Sequence, residues 1–187
     1  DFDKLEELAN GPGDIWHSSF EQGYKNAFPE IVYQTAVFFW YLNDFDDLDE
    51  CVSWRVNPNQ FAVRKSVWEI SKGFDLNLKN PQLQALDFGF RNLRYLGGIP
   101  LYIKELFTEM SVEKITISDE DRFSFFLKNF KKKHSIWMIY RRGFWKISEW
   151  KAYLKAKKDV VRTVYDDSIP PRNLKEITGN PAVSYII

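Results

Sequence analysis

Cysteine is almost missing from this chain. Cys51 is the one thiol in 187 residues, which excludes a disulfide framework within the chain and fits a reducing compartment. Histidine is nearly as scarce, with His17 and His134 alone, and no Cys/His spacing suits a metal site. No apolar run reaches about eighteen residues, so nothing reads as a membrane span, and no signal-peptide pattern opens the chain. P-loop and nucleophile-elbow motifs are missing, as are internal repeats and low-complexity tracts. Net charge is missing too, 26 Lys+Arg balancing 26 Asp+Glu. The chain opens at Asp1 without a Met, which suggests a piece of a longer protein.

Apolar and aromatic residues are plentiful. Hydrophobic residues at 44% and aromatics at 17% suffice for a packed core, and the length suits one domain or one domain with a small appendage. Most of the rings are accounted for by a Phe-rich core, and some are expected to line a groove where sugar C–H faces stack. The charge is balanced but unevenly spread. Residues 1–110 carry 10 Lys+Arg against 17 Asp+Glu, whereas residues 111–187 carry 16 against 9. That pattern predicts an acidic part, 1–117, and a helical basic appendage, 118–187, docked together or used separately.

Along the chain, 2–8 reads as a short amphipathic helix stopped at Asn10-Gly11-Pro12-Gly13. Asp14 to Phe20 reads as a short strand. Ile31 to Leu42 is a buried strand or helix, periodicity leaving both open, and Asn43 to Glu50 an acidic solvent loop. Cys51 to Val56 alternates like a strand and is closed by Asn57-Pro58-Asn59. Ser118 with Asp121 caps a helix whose Phe123, Phe126, Leu127 and Phe130 form one apolar stripe. A further helix is expected from about Ser148 to Pro170-Pro171, with Trp150, Tyr153, Leu154, Val161 and Val164 inward and Lys151, Lys155, Lys157 and Lys158 outward.

The richest stretch runs from Gln60 to Phe107. A short strand at Phe61 to Val63 leads into a helix from Arg64 to a Gly73-Phe74-Asp75 stop. A second helix, 83–96, contains Asp87-Phe88-Gly89-Phe90-Arg91 and ends at Gly97-Gly98 before a strand at Leu101 to Ile103, expected beside the first. This order resembles the acceptor-side half of family 2 glycosyltransferases of the A-type fold, where an Arg-led helix ends in Gly-Gly-Phe-Asp and an acidic helix reads Asp-x-Gly-x-Arg. Gly13-Asp14-Ile15-Trp16-His17 and Ser53-Trp54-Arg55 extend the likeness over roughly the first hundred residues. The resemblance implies a mixed α/β domain and inverting transfer of a hexose from a nucleotide sugar to a glycan or lipid-linked acceptor in polysaccharide biosynthesis. A divalent cation, Mg or Mn, would hold the leaving diphosphate on an Asp-x-Asp motif.

Two departures qualify that implication. Asp1-Phe2-Asp3 has the right letters, but no apolar strand precedes it and a helix starts at once, where acidic residues are favoured anyway. The nucleotide-sugar half is therefore expected to lie outside this chain, which by itself needs no cofactor. The positions of the family's acidic base hold Gln84 and Ala85, neither of which accepts a proton at neutral pH. Asp14 and His17 stand as substitute catalytic candidates, although His17 also fits a half-buried ring satisfied by a backbone carbonyl. Trp16, Arg55, Asp87 and Arg91 are the substrate-binding candidates. The four-residue spacing of Asp87 and Arg91 equally suits an ion pair.

Lys131, Lys132, Lys133, Arg141 and Arg142, interleaved with Trp137, Tyr140, Phe144 and Trp145, form a solvated helix face or a site for an anionic surface. Anionic lipid is the first choice and nucleic acid is not expected, so the chain is expected in the cytoplasm, peripheral to a membrane at most. The alternative to a transferase is a non-catalytic domain that binds glycan, phosphate or protein.

Overall fold

Ile15, Trp16 and His17 are all buried and make the short strand β1 (Ile15–His17), whose alternating side chains feed two different cores. The computed structural model describes residues 2–18, 49–107, 117–162, 164–165 and 168–170. The sequence-predicted apolar segment at 31–42 and most of the acidic loop at 43–50 lie outside these residues.

β1 occupies the interior of a four-stranded sheet ordered β2-β4-β1-β3, with β2 at Glu50–Val52, β3 at Phe61–Val63 and β4 at Pro100–Ile103. It runs parallel to β4, Trp16 opposite Leu101, and antiparallel to β3, Trp16 opposite Ala62. The strand at Leu101 to Ile103 thus forms as expected but is not the neighbour of Phe61 to Val63, because β1 lies between them. The strand predicted over 51–56 is also shorter. Beyond Val52 its partner is Pro100, whose carbonyl accepts from the Ser53 N–H at 3.0 Å but which has no N–H to return.

On one side of β1, Ile15 packs with Val56, Val67, Ala85 and Phe88. On the other, Trp16 packs with Leu101, Ile103 and Leu106, and Leu5 and Leu8 of helix α1 (Phe2–Ala9) close over them. Helix α2 (Lys65–Ser71) follows β3 and stops where Lys72 and Gly73 both take left-handed backbone, φ 59° and 62°. A Cβ on Gly73 would also lie 2.7 Å from the Trp68 ring. Helix α3 (Pro81–Arg91) begins on Asn80, whose side chain accepts from the Gln82 N–H at 2.9 Å, with Pro81 at its first position. It continues as a π turn, Asn92–Leu96, ended by Gly97. The two helices predicted on either side of Gly73-Phe74-Asp75 are therefore present.

Three further helices follow among the described residues: α4 (Asp119–Asn129), α5 (Lys132–Gly143) and α6 (Ile147–Asp159). Ser118 caps α4 by accepting from the Asp121 N–H at 3.1 Å. Phe123, Phe126 and Leu127 are buried as the stripe requires, and Phe125 is buried as well, so α4 is covered on more than one side. Their core takes in Leu83, Leu86 and Phe90 of α3, so it crosses the 117/118 boundary drawn from the sequence. Helix α6 ends at Asp159 rather than at Pro170. Glu149, Tyr153 and Ala156 are its buried positions, whereas Trp150, Leu154, Val161 and Val164, expected inward, are exposed. The architecture is mixed α+β, as the α/β expectation has it.

Candidate functional site

The letters of Asp87-x-Gly89-x-Arg91 point to three neighbours of α3. Asp87, with no exposed surface, accepts from Lys128 Nζ at 2.7 Å and from Asn129 Nδ2 at 2.9 Å, both on α4. Gly89 faces the chain around Trp54, where an added Cβ would stand 2.1 Å from the Trp54 carbonyl oxygen. Arg91 Nε lies 3.5 Å from Asp87 Oδ2, and its two terminal nitrogens donate to the carbonyls of Ser71, at 2.8 Å, and Gly73. The ion pair expected from the spacing exists, and the guanidinium also ties α3 to the end of α2.

A second carboxylate joins this network from the loop after Gly73. Asp75 Oδ2 lies 2.5 Å from Lys128 Nζ, so one buried ammonium serves both Asp75 and Asp87. Burial pushes the Asp75 pKa up, but the hydrogen bonds from Lys128 and Asn77 outweigh it and hold the carboxyl below its ordinary range. Asp75 therefore stays ionised at neutral pH.

Asp75 and Arg91 line a cleft of about 280 Å³ between the 70–77 segment and Val161, Val164 and Tyr165. Ser71 and Asn77 add polar groups, and Phe74 and Tyr165 add rings. Arg91 lies over the rings of Phe88 and Tyr165, 5.4 and 6.0 Å from their centroids. The cleft therefore offers a carboxylate, an amide and apolar faces, with the Arg91 guanidinium and the Ser71 hydroxyl buried in its wall. Its volume is at the lower end for small-ligand sites. Among these residues only Arg91 was singled out from the sequence. Lys128 and Asn129 were missed, though two polar residues inside the Phe123–Phe130 apolar run were a signal.

The other sequence candidates lie elsewhere and do not line this cleft. Asp14 is buried at the edge of β1, where it accepts from the Ile99 N–H at 2.9 Å and pairs with Arg64 Nε at 3.4 Å. Arg64 also donates to the carbonyls of Gly13 and Ala9 and lies over the Trp16 ring at 5.1 Å. His17 is fully buried, with Nε2 2.8 Å from the Ser53 carbonyl oxygen, the satisfied-histidine arrangement that the sequence also allowed. Arg55 is half-buried near Cys51, whose thiol burial pushes up, Arg55 opposing and Glu50 adding. Asp14, Trp16 and His17 thus belong to the sheet and its packing, while Asp87 and Arg91 belong to the network behind the cleft.

The basic candidates divide between the two ends of α5. Lys131, Lys132, Lys133 and Arg141 are exposed. Arg142 turns inward, pairing with Glu149 at 2.9 Å and Asp119 at 3.3 Å, so it is not part of an exposed patch. Asp3 is exposed in the first turn of α1, and Asp1 lies outside the described residues. Among the described residues no group of three or more His, Cys, Asp or Glu is placed to hold a metal ion. No helix among them is long and apolar enough to cross a membrane. Compared with protein-family models, with curated proteins and with solved structures, the chain matches none.

Proposed function

We propose that this chain is the acceptor-binding half of a glycosyltransferase-like protein, and that the cleft beside Asp75 and Arg91 holds a hydroxyl-rich glycan or glycan headgroup. The observation that carries this reading is a cleft lined by the ionised Asp75 carboxylate and by ring faces, with the Arg91 guanidinium in its back wall. A sugar presents hydroxyl edges and apolar C–H faces to such a lining. The Gly73-Phe74-Asp75 and Asp-x-Gly-x-Arg segments that carry the family resemblance are the segments that build the cleft and its backing.

Asp75 accepts a hydrogen bond from an acceptor hydroxyl in this reading, and Arg91 and Asn77 orient its neighbours. Asp75 takes over the acceptor-holding part expected of Asp87, which is fully buried, while Asp14 and His17, the substitute catalytic candidates, are bound into the sheet. Its lowered pKa makes it a good hydrogen-bond acceptor and a weak base. Hexose transfer would require a nucleotide-sugar half to complete the site, whereas holding the acceptor through these hydrogen bonds requires no cation.

A second reading, binding without transfer, is favoured by the two positions of the family base. Gln84 Nε2 donates to the Leu78 carbonyl at 2.6 Å and Ala85 is fully buried, so neither reaches the cleft. Amide chemical shifts on titration with neutral oligosaccharides test the shared binding claim. Shifts should centre on Ser71, Asp75 and Asn77 and vanish in Asp75→Ala. Shifts confined to residues remote from the cleft would refute the assignment. Hydrolysis of nucleotide sugars with Mg²⁺ or Mn²⁺ should be undetectable in the isolated chain. Turnover lost in Asp3→Ala would show that the N-terminus holds a donor site after all.

A further inference from the structure

The joint between α5 and α6 exposes an aromatic surface that the cleft does not use. Tyr140 and Trp145 are each 70% exposed, Phe144 is 56% exposed, and Ile147 beside them is 70% exposed. Ile136 and Trp137 continue the same face one turn back along α5. The rings are organised against one another. Tyr140 and Phe144 stack with 12° between planes, and Phe144 meets Trp145 edge-on at 5.1 Å. Gly143, at φ 113°, makes the break that turns Trp145 outward, and a Cβ there would press on the Trp145 ring at 3.1 Å. Trp150 Nε1 donates to the Phe144 carbonyl at 2.8 Å and braces the turn from α6.

Charge around this face has one sign. From Lys131 to Ser148 the sequence has six Lys or Arg residues and no Asp or Glu. Of the six, Arg142 is neutralised from within by Glu149 and Asp119. Lys131, Lys132, Lys133, Arg141 and Lys146 are exposed. Arg141 lies over the Trp137 ring at 5.1 Å, so cation and ring share one surface. Tryptophan and tyrosine are the residues that settle at the headgroup level of a bilayer, and each Lys or Arg near an anionic surface adds attraction. A second copy of the chain would bring the same positive face to itself, so self-association is disfavoured by charge.

We infer that the α5–α6 joint is a membrane-docking surface that lays its aromatic tip into the headgroup layer of an anionic bilayer while the flanking basic residues hold the lipid phosphates. The occupant is a lipid surface, not a soluble polyanion, because Arg141 and Lys146 lie beside the apolar tip, with Lys131, Lys132 and Lys133 at the other end of α5. This inference stands apart from the proposed glycan cleft, and either can fail without the other.

Vesicles of phosphatidylcholine with phosphatidylglycerol, against vesicles of phosphatidylcholine alone, test it by co-sedimentation and tryptophan fluorescence. The chain should sediment with the anionic vesicles and show a blue-shifted emission there. Raising salt from about 0.1 M to about 1 M shortens the Debye length from about 10 to about 3 Å and should release most of it. Lys131, Lys132, Lys133 and Arg141 changed together to Ser should lower partitioning by about fivefold per charge removed. Tyr140→Ser with Trp145→Ser should also weaken it at least tenfold and abolish the blue shift, with an unchanged circular dichroism melt. Equal sedimentation of wild type and the basic variant overturns the inference. So does binding that survives the aromatic changes, which marks simple charge adsorption, and so does an oligomer that dissociates when Tyr140 and Trp145 are changed.

Discussion

Lys128 places its ammonium 2.7 Å from the carboxylate of Asp87, joining the helix that carries the Asp-x-Gly-x-Arg letters to the first helix of the basic part. Both side chains are sealed from solvent, with 4% and 0% of their surface exposed. The pair therefore belongs to the interior, where loss of one partner leaves the other charge with a single counter-charge, Asp75 for Lys128 or Arg91 for Asp87.

Lys128→Met should lower unfolding stability by about 3–5 kcal/mol, because Asp87 then stays buried with only the more distant Arg91 as a counter-charge. Lys128→Met combined with Asp87→Asn should recover part of that loss. Urea unfolding of the three variants measures this, and a single-variant loss below about 1 kcal/mol would place the pair in water instead.

Acid should act through Asp75. Its folded-state carboxyl titrates below its unfolded value, so the folded chain binds fewer protons in that interval. The stabilisation is present above the unfolded value of about 4 and is lost as pH falls through the lower folded value. Thermal melts between neutral pH and about pH 2 should therefore slope less steeply in Asp75→Asn than in the wild type. Parallel curves would mean that Lys128 does not hold Asp75 as the structure describes.

Gly89→Ala tests the close approach of α3 to the chain at Trp54. The new Cβ would meet a backbone carbonyl, which cannot rotate away, so α3 must shift. A loss of about 3 kcal/mol is expected. A neutral result in a chemical melt would show that the helix has room to spare there.

Arg64→Ala removes a guanidinium that binds backbone carbonyls of the 9–13 segment as well as Asp14. The expected cost is about 2–3 kcal/mol, from charged hydrogen bonds and the lost ion pair with Asp14. Amide hydrogen exchange should accelerate over α1 more than over α4. Uniform acceleration would mean that α1 is not separately anchored by Arg64.

The local elements were largely legible where the sequence carries its own punctuation. Gly73-Phe74-Asp75 ends one helix and Ser118 with Asp121 starts α4, each by a bond between neighbours in sequence, whereas the next helix starts at Asn80-Pro81, two residues before the expected residue 83. Helix α5 was hidden inside a charge run because only Ser135, Met138, Ile139 and Gly143 of its residues are buried. The partner of β3 was misread because β1 enters from far away in sequence, and no local pattern encodes which strand lies beside which. The candidate site divided in the same way. Asp87 and Arg91 were visible as a helical pair, whereas Lys128, 41 residues from Asp87, enters only through tertiary packing.

The interior place of β1 has a consequence for how the chain reaches this fold. Its backing against the loop before β4 joins residues 85 apart, Asp14 to Ile99, while β3 meets its other edge. Closing so long a loop is slow compared with winding α3 to α6, so the sheet is expected to be the late event of folding. Until β1 arrives, β3 and β4 each present an unpaired edge, and the nascent chain is at its most adhesive in that interval.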